Sequence, residues 1–224
     1  MHLSADTLND MPHRQRVALI NSLSGYKSAN LLGTRSADGQ ENLAMVSSCF
    51  HLGADPALMG MIMRPHSVDR HSLEYLQDTG VYTLNHVHAD ILHAAHQSAA
   101  RYPRQVSEFA ATGLTPQYLP GFAAPFVAES RIQLGLNVAE IQTLAINDTV
   151  LVIGRLAHIQ LPGYALGADG YVDIEKAGTV AVSGLDSYHQ GRRLARLSYP
   201  KPDQPLTDMA APADDRKPNG QDAD

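Results

Sequence analysis

The stretch that decides the fold runs from Leu31 to Ser72. Two extended runs meet at the turn Ala37-Asp-Gly-Gln40, and the second run carries the small-residue segment Asn42-Leu-Ala-Met-Val-Ser-Ser48. Arg64-Pro-His-Ser-Val-Asp-Arg-His-Ser72 then brings cations and hydroxyls to an expected helix start. Asp-Gly between two such runs is a strong hairpin signal, and short side chains let a flat ligand approach the backbone closely. The stretch therefore predicts a site for an aromatic ring that carries a phosphate.

Composition and charge narrow the class of protein. The 224 residues are 44% hydrophobic, enough for one substantial core, and the net charge of −6 favours neither nucleic acid nor an anionic membrane as a partner. The single Cys49 permits no internal disulfide, and the N-terminus lacks the pattern of a signal peptide, so we expect a cytoplasmic location. No apolar run approaches the roughly 20 residues that span a bilayer.

The chain divides into three predicted parts: a helical segment over 1–24, a main domain over 25–200 and an acidic, proline-rich tail over 201–224. The tail has too few large apolar residues to offset the entropy of ordering, so we expect it to be disordered or to fold only against a partner subunit.

Periodicity predicts mostly strands with a few short helices. The expected strands are Tyr26–Arg35, Glu41–Leu52, Leu58–Met63, Val81–His86, Ile132–Ile146 and Thr149–Leu161, with a turn at Asn147-Asp148. The expected helices are Pro12–Leu23, one that starts at Ser67 or Asp69 and ends near Thr79-Gly80, and one or two within Ala89–Ala111. Long hairpins without a glycine-rich dinucleotide turn favour a closed or split β-barrel over a doubly wound sheet.

The order and spacing of these segments resemble the flavin reductase-like family, whose members are FMN-binding split β-barrels. The resemblance covers Tyr26 to Tyr199. Its further landmarks are Thr79-Gly80 before Tyr82-Thr-Leu-Asn85, Ser107-Glu-Phe109 with Gly113-Leu114, and Gly184-Leu-Asp-Ser-Tyr188. The resemblance implies a homodimer with one FMN per subunit near the interface, and hydride transfer from NADH or NADPH to the flavin.

The resemblance also assigns the cofactor-binding residues by position. They are Asn42, Ala44, Met45, Ser47, Ser48 and Cys49 on the small-residue segment, and Arg64, Ser67, His71 and Ser72 on the second segment. Serine at position 72 replaces the threonine we expect there and keeps the hydroxyl. A phosphate monoester is best bound by hydroxyls, backbone N–H groups and a guanidinium, and the start of a helix adds a favourable dipole.

Some of these residues also have an ordinary structural interpretation. Without the neighbouring motif, Ser47 and Ser48 would be taken as strand residues on a polar face. Arg70 suits an ion pair with Glu74 better than a phosphate site, because the two lie one helical turn apart. Cys49 is more often a small buried side chain than a reactive thiol, so we assign it no redox role.

A dense histidine segment, His86-Val-His-Ala-Asp-Ile-Leu-His-Ala-Ala-His96, offers a competing hypothesis of a metal-dependent hydrolase. It departs from the His-x-His-x-Asp-His pattern of metallo-β-lactamase-like enzymes, because Ile91 and Leu92 separate the aspartate from the next histidine. Two histidines three residues apart are a weak metal signal, so we predict no metal site. An intermediate hypothesis places His96, Gln97, Ser98 and Tyr102 over the flavin or across the dimer interface.

The sequence therefore predicts an FMN-dependent NAD(P)H oxidoreductase, with no catalytic side chain identified, because the flavin supplies the chemistry. Its electron acceptor stays open among free flavin, oxygen, a quinone, a metal complex and another small oxidant. A non-enzymatic flavin-binding or sensory dimer is the main alternative, since it needs the same phosphate site.

Overall fold

The computed structural model describes residues 1–65 and 71–209. The chain forms two compact units, Met1–Gly191 and the segment that begins at Arg192, and each is described separately. No helix in the described part of the chain is long and apolar enough to cross a membrane.

The first unit is built mainly from antiparallel strands with short helices between them. Its strands are β1 (Lys27–Ser28), β2 (Asn30–Arg35), β3 (Glu41–Val46), β4 (Cys49–Ala54), β5 (Ala57–Met63), β6 (Val81–His86), β7 (Pro116–Gln117), β8 (Phe126–Val127), β9 (Gln133–Thr143), β10 (Val150–Gln160), β11 (Val180–Ser183) and β12 (Ser187–Gln190). Its α-helices are α1 (Ala5–Asp10), α2 (His13–Leu23), α3 (His71–Thr79), α4 (Leu92–Gln97) and α5 (Glu108–Thr112), and single 3-10 turns lie at Ala89–Ile91 and Gly163–Ala165.

The main sheet has seven strands in the order β3-β2-β6-β9-β10-β5-β4. Its two edge strands, β3 and β4, follow each other in sequence and are joined only by Ser47 and Ser48. Within the described residues, β3 pairs with β2 and β4 pairs with β5, and the two edges do not pair with each other. The sheet is therefore a split barrel that is open between β3 and β4.

Alternation along the strands sends apolar side chains to two separate cores. The barrel interior contains Leu32, Tyr82, Leu84 and Leu136, and α3 packs against it through Leu73 and Leu76. The second core contains Leu31, Leu43 and Val87, with Ala95, Phe109 and Val182 from α4, α5 and β11. Helix α5 is thereby held close to the edge strand β3, which matters for the site.

The structure confirms most of the predicted elements and divides two of the predicted strands. The predicted strand Tyr26–Arg35 is β1 and β2, which belong to different sheets. The predicted strand Glu41–Leu52 is in fact two strands, because the chain leaves one edge of the sheet at Ser47 and enters the other at Cys49. At this crossing the Ser48 hydroxyl donates to the carbonyl oxygen of Ile62 in β5, a bond that a continuous strand beside β2 would not make. No proline or glycine stands between Glu41 and Leu52, so no local signal predicts the break.

Two further differences concern helix starts. Helix α1 was not predicted, and it begins after Ser4, whose hydroxyl accepts the Thr7 N–H. The expected helix start at Ser67 or Asp69 lies outside the described residues, while the end of α3 at Thr79-Gly80 agrees with the prediction, since Gly80 has φ +70°.

In the second unit, residues 192–209 contain a short antiparallel pairing. The Ser198 N–H donates to the Thr207 carbonyl and the Met209 N–H donates to the Arg196 carbonyl, at 2.9 Å and 2.7 Å. The predicted disorder of the tail over 201–224 stays a prediction, since residues 210–224 lie outside the described residues.

Candidate functional site

Asn42 and Ser72, both predicted to bind the cofactor, meet at the open edge of the sheet. Both side chains are buried, and the Asn42 amide donates to the Ser72 hydroxyl oxygen at 2.7 Å and to the Thr34 hydroxyl at 3.3 Å. Ser72 lies in the first turn of α3, so the bond joins the edge strand to the start of a helix. The Ser72 oxygen accepts this bond, and the hydrogen of the Ser72 hydroxyl has no acceptor among the described residues. The hydroxyl can therefore donate to a ligand.

Glu108 is the residue at this edge that sequence analysis missed. It is 6% exposed, it opens α5, and its Oε2 accepts the backbone N–H of Leu43 in β3 at 3.0 Å. Burial raises the pKa of the Glu108 carboxyl, while the Leu43 N–H and the charge of nearby His71 oppose that rise. The edge strand β3 is therefore bonded both to the start of α3 and to the start of α5.

An acidic residue in the first turn of a helix is expected to be exposed, and no residue near Glu108 in the sequence indicates that it is buried. The Ser107-Glu-Phe109 landmark identified the segment without giving the glutamate a role.

The other predicted residues of the small-residue segment continue along the same edge. Ala44 and Met45 are half-buried on β3, with Met45 against the second core. Ser47 and Ser48 form the link to β4, and the hydrogen of the Ser48 hydroxyl is used in the bond to Ile62. Ser48 is thus available to a ligand only as an acceptor or through its backbone.

Cys49 packs against the barrel interior at the start of β4. Burial raises the pKa of its thiol to about 12, so the group is a neutral thiol at physiological pH and a poor nucleophile.

Arg64 follows directly after β5 and is exposed. Its guanidinium makes no hydrogen bond or ion pair with residues 1–65 or 71–209, so it is available to an anion. The predicted phosphate ligand Ser67 lies outside the described residues, and His71 is half-buried at the first position of α3.

The histidine segment does not assemble a metal site in the structure. His86 Nδ1 lies 3.1 Å from the Thr179 hydroxyl, and burial lowers the pKa of its imidazole to about 4. His88 Nε2 lies 2.9 Å from the Glu129 carbonyl, and His93 is exposed. Among the described residues no three histidine, cysteine or acidic side chains are grouped to hold a metal ion. The histidines therefore serve separate local contacts.

The residues proposed to lie over a flavin also make contacts within the chain. His96 Nδ1 lies 2.8 Å from the Tyr188 hydroxyl, the Gln97 amide donates to the Tyr102 hydroxyl, and the Ser98 hydroxyl donates to the Ala95 carbonyl. His96, Gln97 and Tyr102 lie at the surface, so they can still face a ligand or a second subunit, whereas Ser98 is buried and occupied.

A separate cleft of about 330 Å³ lies between α2 and the β11–β12 turn. None of the nine predicted cofactor-binding residues that the structure describes lines it. Its rim is formed by exposed side chains such as His13, Arg14 and Asp186, so the cleft and the β3 edge are distinct features of the surface.

The donor set at the β3 edge fits a flavin mononucleotide. The Ser72 hydroxyl hydrogen and the Arg64 guanidinium are donors without acceptors in the described structure, and a phosphate needs such donors. Backbone N–H groups on the free side of an edge strand suit the ring, whose heteroatoms accept hydrogen bonds. FMN would therefore be held by Ser72 and Arg64 at its phosphate and by the β3 backbone at its ring.

A sheet that is open between β3 and β4, with the first turn of α3 bonded to β3, is the architecture of split-barrel proteins. The chain belongs to the flavin reductase-like family, since the model of the flavin reductase like domain matches residues 23–181. No curated protein sequence matches the chain.

Solved structures agree with the family. A candidate flavin reductase with a split-barrel domain from Shewanella frigidimarina NCIMB 400 is 50% identical, with a TM-score of 0.86 over 89% of this chain and 100% of that one. Nitrilotriacetate monooxygenase component B from Bacillus cereus shares the fold at 16% identity, with a TM-score of 0.78 over 88% and 98% of the two chains. The FMN-binding protein from Thermus thermophilus shares it at 17% identity, with a TM-score of 0.62 over 75% and 88%.

Proposed function

We propose that the protein is an FMN-dependent NAD(P)H oxidoreductase of the flavin reductase type. The observation that carries the proposal is the Asn42–Ser72 pair, which places a hydroxyl donor at the open edge of a split barrel in a chain of this family. Bound FMN would supply the N5 atom that takes a hydride from NADH or NADPH and would pass electrons to an acceptor that the site does not name.

The chain's own residues would bind and orient, and they would not react. Arg64 and Ser72 offer charge-assisted hydrogen bonds to the phosphate, and Asn42 holds the Ser72 hydroxyl in place from the strand side. Cys49 stays a protonated thiol, so it takes no part in electron transfer. No side chain has to act as a nucleophile for this reaction.

We also propose a homodimer that forms through the outer apolar face of β4, β5 and β10. This face consists of Phe50, Gly60, Ile62, Leu151 and Ile153. The register places Phe50 and Ile153 opposite Gly60, and Leu151 opposite Ile62, so these residues lie side by side. Phe50 is 40% exposed in the single chain, and its ring lies over Gly60, where an added Cβ would come within 2.4 Å of it.

An unpaired edge strand beside such a face is a common subunit contact. The family resemblance supports the second copy as its occupant.

The absorption spectrum of the protein tests the function directly. We expect the purified chain to hold added FMN with typical flavin bands, and the bands to bleach when NADH or NADPH is added without oxygen. Failure to bind FMN would contradict the proposal. FMN binding without bleaching by either nicotinamide would instead support the non-enzymatic flavin-binding dimer.

The phosphate assignment has its own test in Arg64→Ala. Loss of a charged hydrogen-bond partner should weaken FMN binding by about 1.5–3 kcal/mol. Arg14→Ala, which removes an equally exposed guanidinium from α2, should leave the affinity unchanged. Equal FMN titrations of the two variants would remove Arg64 from the phosphate site.

A further inference from the structure

The carboxylate of Glu108 occupies a position at the sheet edge that a neighbouring strand would normally fill. Within the described residues β3 has a strand partner on one side only, and the Leu43 N–H points away from β2 to Glu108 Oε2. An edge strand with free N–H groups can shift or pair with another chain unless something satisfies them. Here one buried side chain from α5 does so.

The position of this bond along β3 gives it a role in the site. Backbone N–H groups in an antiparallel strand alternate between its two sides. Asn42 and Ala44 therefore face β2, while Leu43 and Met45 face the open edge. Glu108 fixes Leu43, which lies between the Asn42 side chain near the phosphate and the Met45 backbone expected at the ring.

The choice of a carboxylate is informative, because burial raises the pKa of Glu108 and so opposes the charged form. An apolar side chain such as that of Phe109, its buried neighbour, would pack in this core without that cost. It would also leave the Leu43 N–H without an acceptor. What the carboxylate adds over an apolar residue is control of the edge strand.

We infer that Glu108 is a positioning residue for the cofactor site: by accepting the Leu43 N–H it holds β3 in the register and orientation that present Asn42 and the Met45 backbone to FMN. The inference rests on the proposed FMN binding and adds a residue that acts through the strand without touching the ligand. In this role Glu108 only has to accept a hydrogen bond, which a glutamine side chain can also do.

The test compares FMN dissociation constants of the full chain and three variants, measured by quenching of flavin fluorescence. Glu108→Leu keeps the volume and removes the acceptor, Glu108→Gln keeps an acceptor oxygen, and Glu129→Ala is the matched control. Glu129 also accepts a backbone N–H, that of Thr115, at 3.0 Å, but it is on a different segment. Circular dichroism at the titration temperature confirms that each variant is folded.

We expect Glu108→Leu to weaken FMN binding at least tenfold, with Glu108→Gln and Glu129→Ala within about threefold of the parent. Wild-type affinity in Glu108→Leu would overturn the inference while leaving the proposed function intact. An equal loss in Glu108→Gln would overturn it too, because a structural need for charge would then explain the effect. If Glu108→Leu does not fold, Glu108→Ala is judged by the same two comparisons. A parent chain that binds no FMN would instead refute the proposed function, and the inference with it.

Discussion

The two edges of the main sheet differ in the groups that lie next to their unpaired strands. At the β3 edge, the Leu43 N–H is satisfied by the Glu108 carboxylate, and Asn42 is tied to Ser72. At the β4 edge, Phe50 lies exposed over Gly60 and the neighbouring side chains of the outer face are apolar. The first edge is completed by buried polar groups from the same chain, whereas at the second edge the Ser28 hydroxyl donates to the Cys49 carbonyl oxygen at 3.2 Å and the outer face beyond it is apolar.

This difference shows that one fold feature can serve two purposes. A polar, internally satisfied edge is stiff and leaves only selected donors free, which suits a small anionic ligand. An exposed apolar face gains free energy when another surface covers it. The comparison is consistent with the proposed cofactor site at the β3 edge and the proposed subunit contact at the β4 edge.

The largest effect is expected from a charge on the outer apolar face. Phe50→Asp should weaken self-association on the order of 1,000-fold, because a carboxylate buried without a partner opposes the contact. The mass of the particle in solution, measured over a range of concentrations by sedimentation, reports the change. Ile146→Asp, at a residue that is 91% exposed in the β9–β10 turn, is the control and should behave as the parent. A parent chain that is monomeric at all concentrations would contradict the assignment of this edge.

An intermediate effect is expected on the stability of the folded chain at acidic pH. The residue concerned is His86, which precedes Val87 of the core behind the β3 edge. Burial lowers the pKa of the folded His86 to about 4 from 6.5, so the unfolded chain binds a proton first as the pH falls. Stability is therefore lost between pH 6.5 and 4, by about 3 kcal/mol from this group. His86→Gln should lose that much less of its free energy of unfolding over the same range.

Denaturant unfolding at several pH values measures this difference. His93→Gln is the matched control, since His93 is a histidine of the same segment that is exposed in the folded chain. An acid dependence in His86→Gln that matches that of the parent would show that the imidazole is solvated.

The smallest effect separates two serines of the β3 edge. Ser72→Ala should weaken FMN binding about tenfold, because the Ser72 hydroxyl hydrogen is free for the phosphate. Ser48→Ala should change the affinity by less than about threefold, because the Ser48 hydroxyl already donates to Ile62. Calorimetric titration with FMN compares the two, and a larger loss in Ser48→Ala would reverse their order at the site.

The fold was largely predictable because its signals are local. The Asp38-Gly39 turn, the long β9–β10 hairpin and the Gly80 helix end each depend on residues within one or two turns of chain. Asn42 and Ser72 were each assigned to the cofactor site from family resemblance, an assignment that stays a prediction, and the structure brings their side chains into contact. Each of these features can be predicted without knowing the order of the strands or which residues are buried.

The features that the sequence did not predict depend on long-range contacts. Glu108 lies 65 residues from its partner Leu43, and only the packing of α5 on the second core buries it. The break at Ser47-Ser48 is set by the pairing of β4 with β5, which is not visible in local alternation. The histidine segment shows the reverse, since residues close in sequence are separated by the fold into unrelated contacts.

The link between the two edge strands also limits the width of the opening at one end. Only three residue steps lead from Val46 to Cys49, and at up to about 3.6 Å each they can span no more than roughly 11 Å. No such link joins the start of β3 to the end of β4. The limit on the separation of the two edges at Ser47 and Ser48 therefore follows from chain connectivity before any side chain is considered.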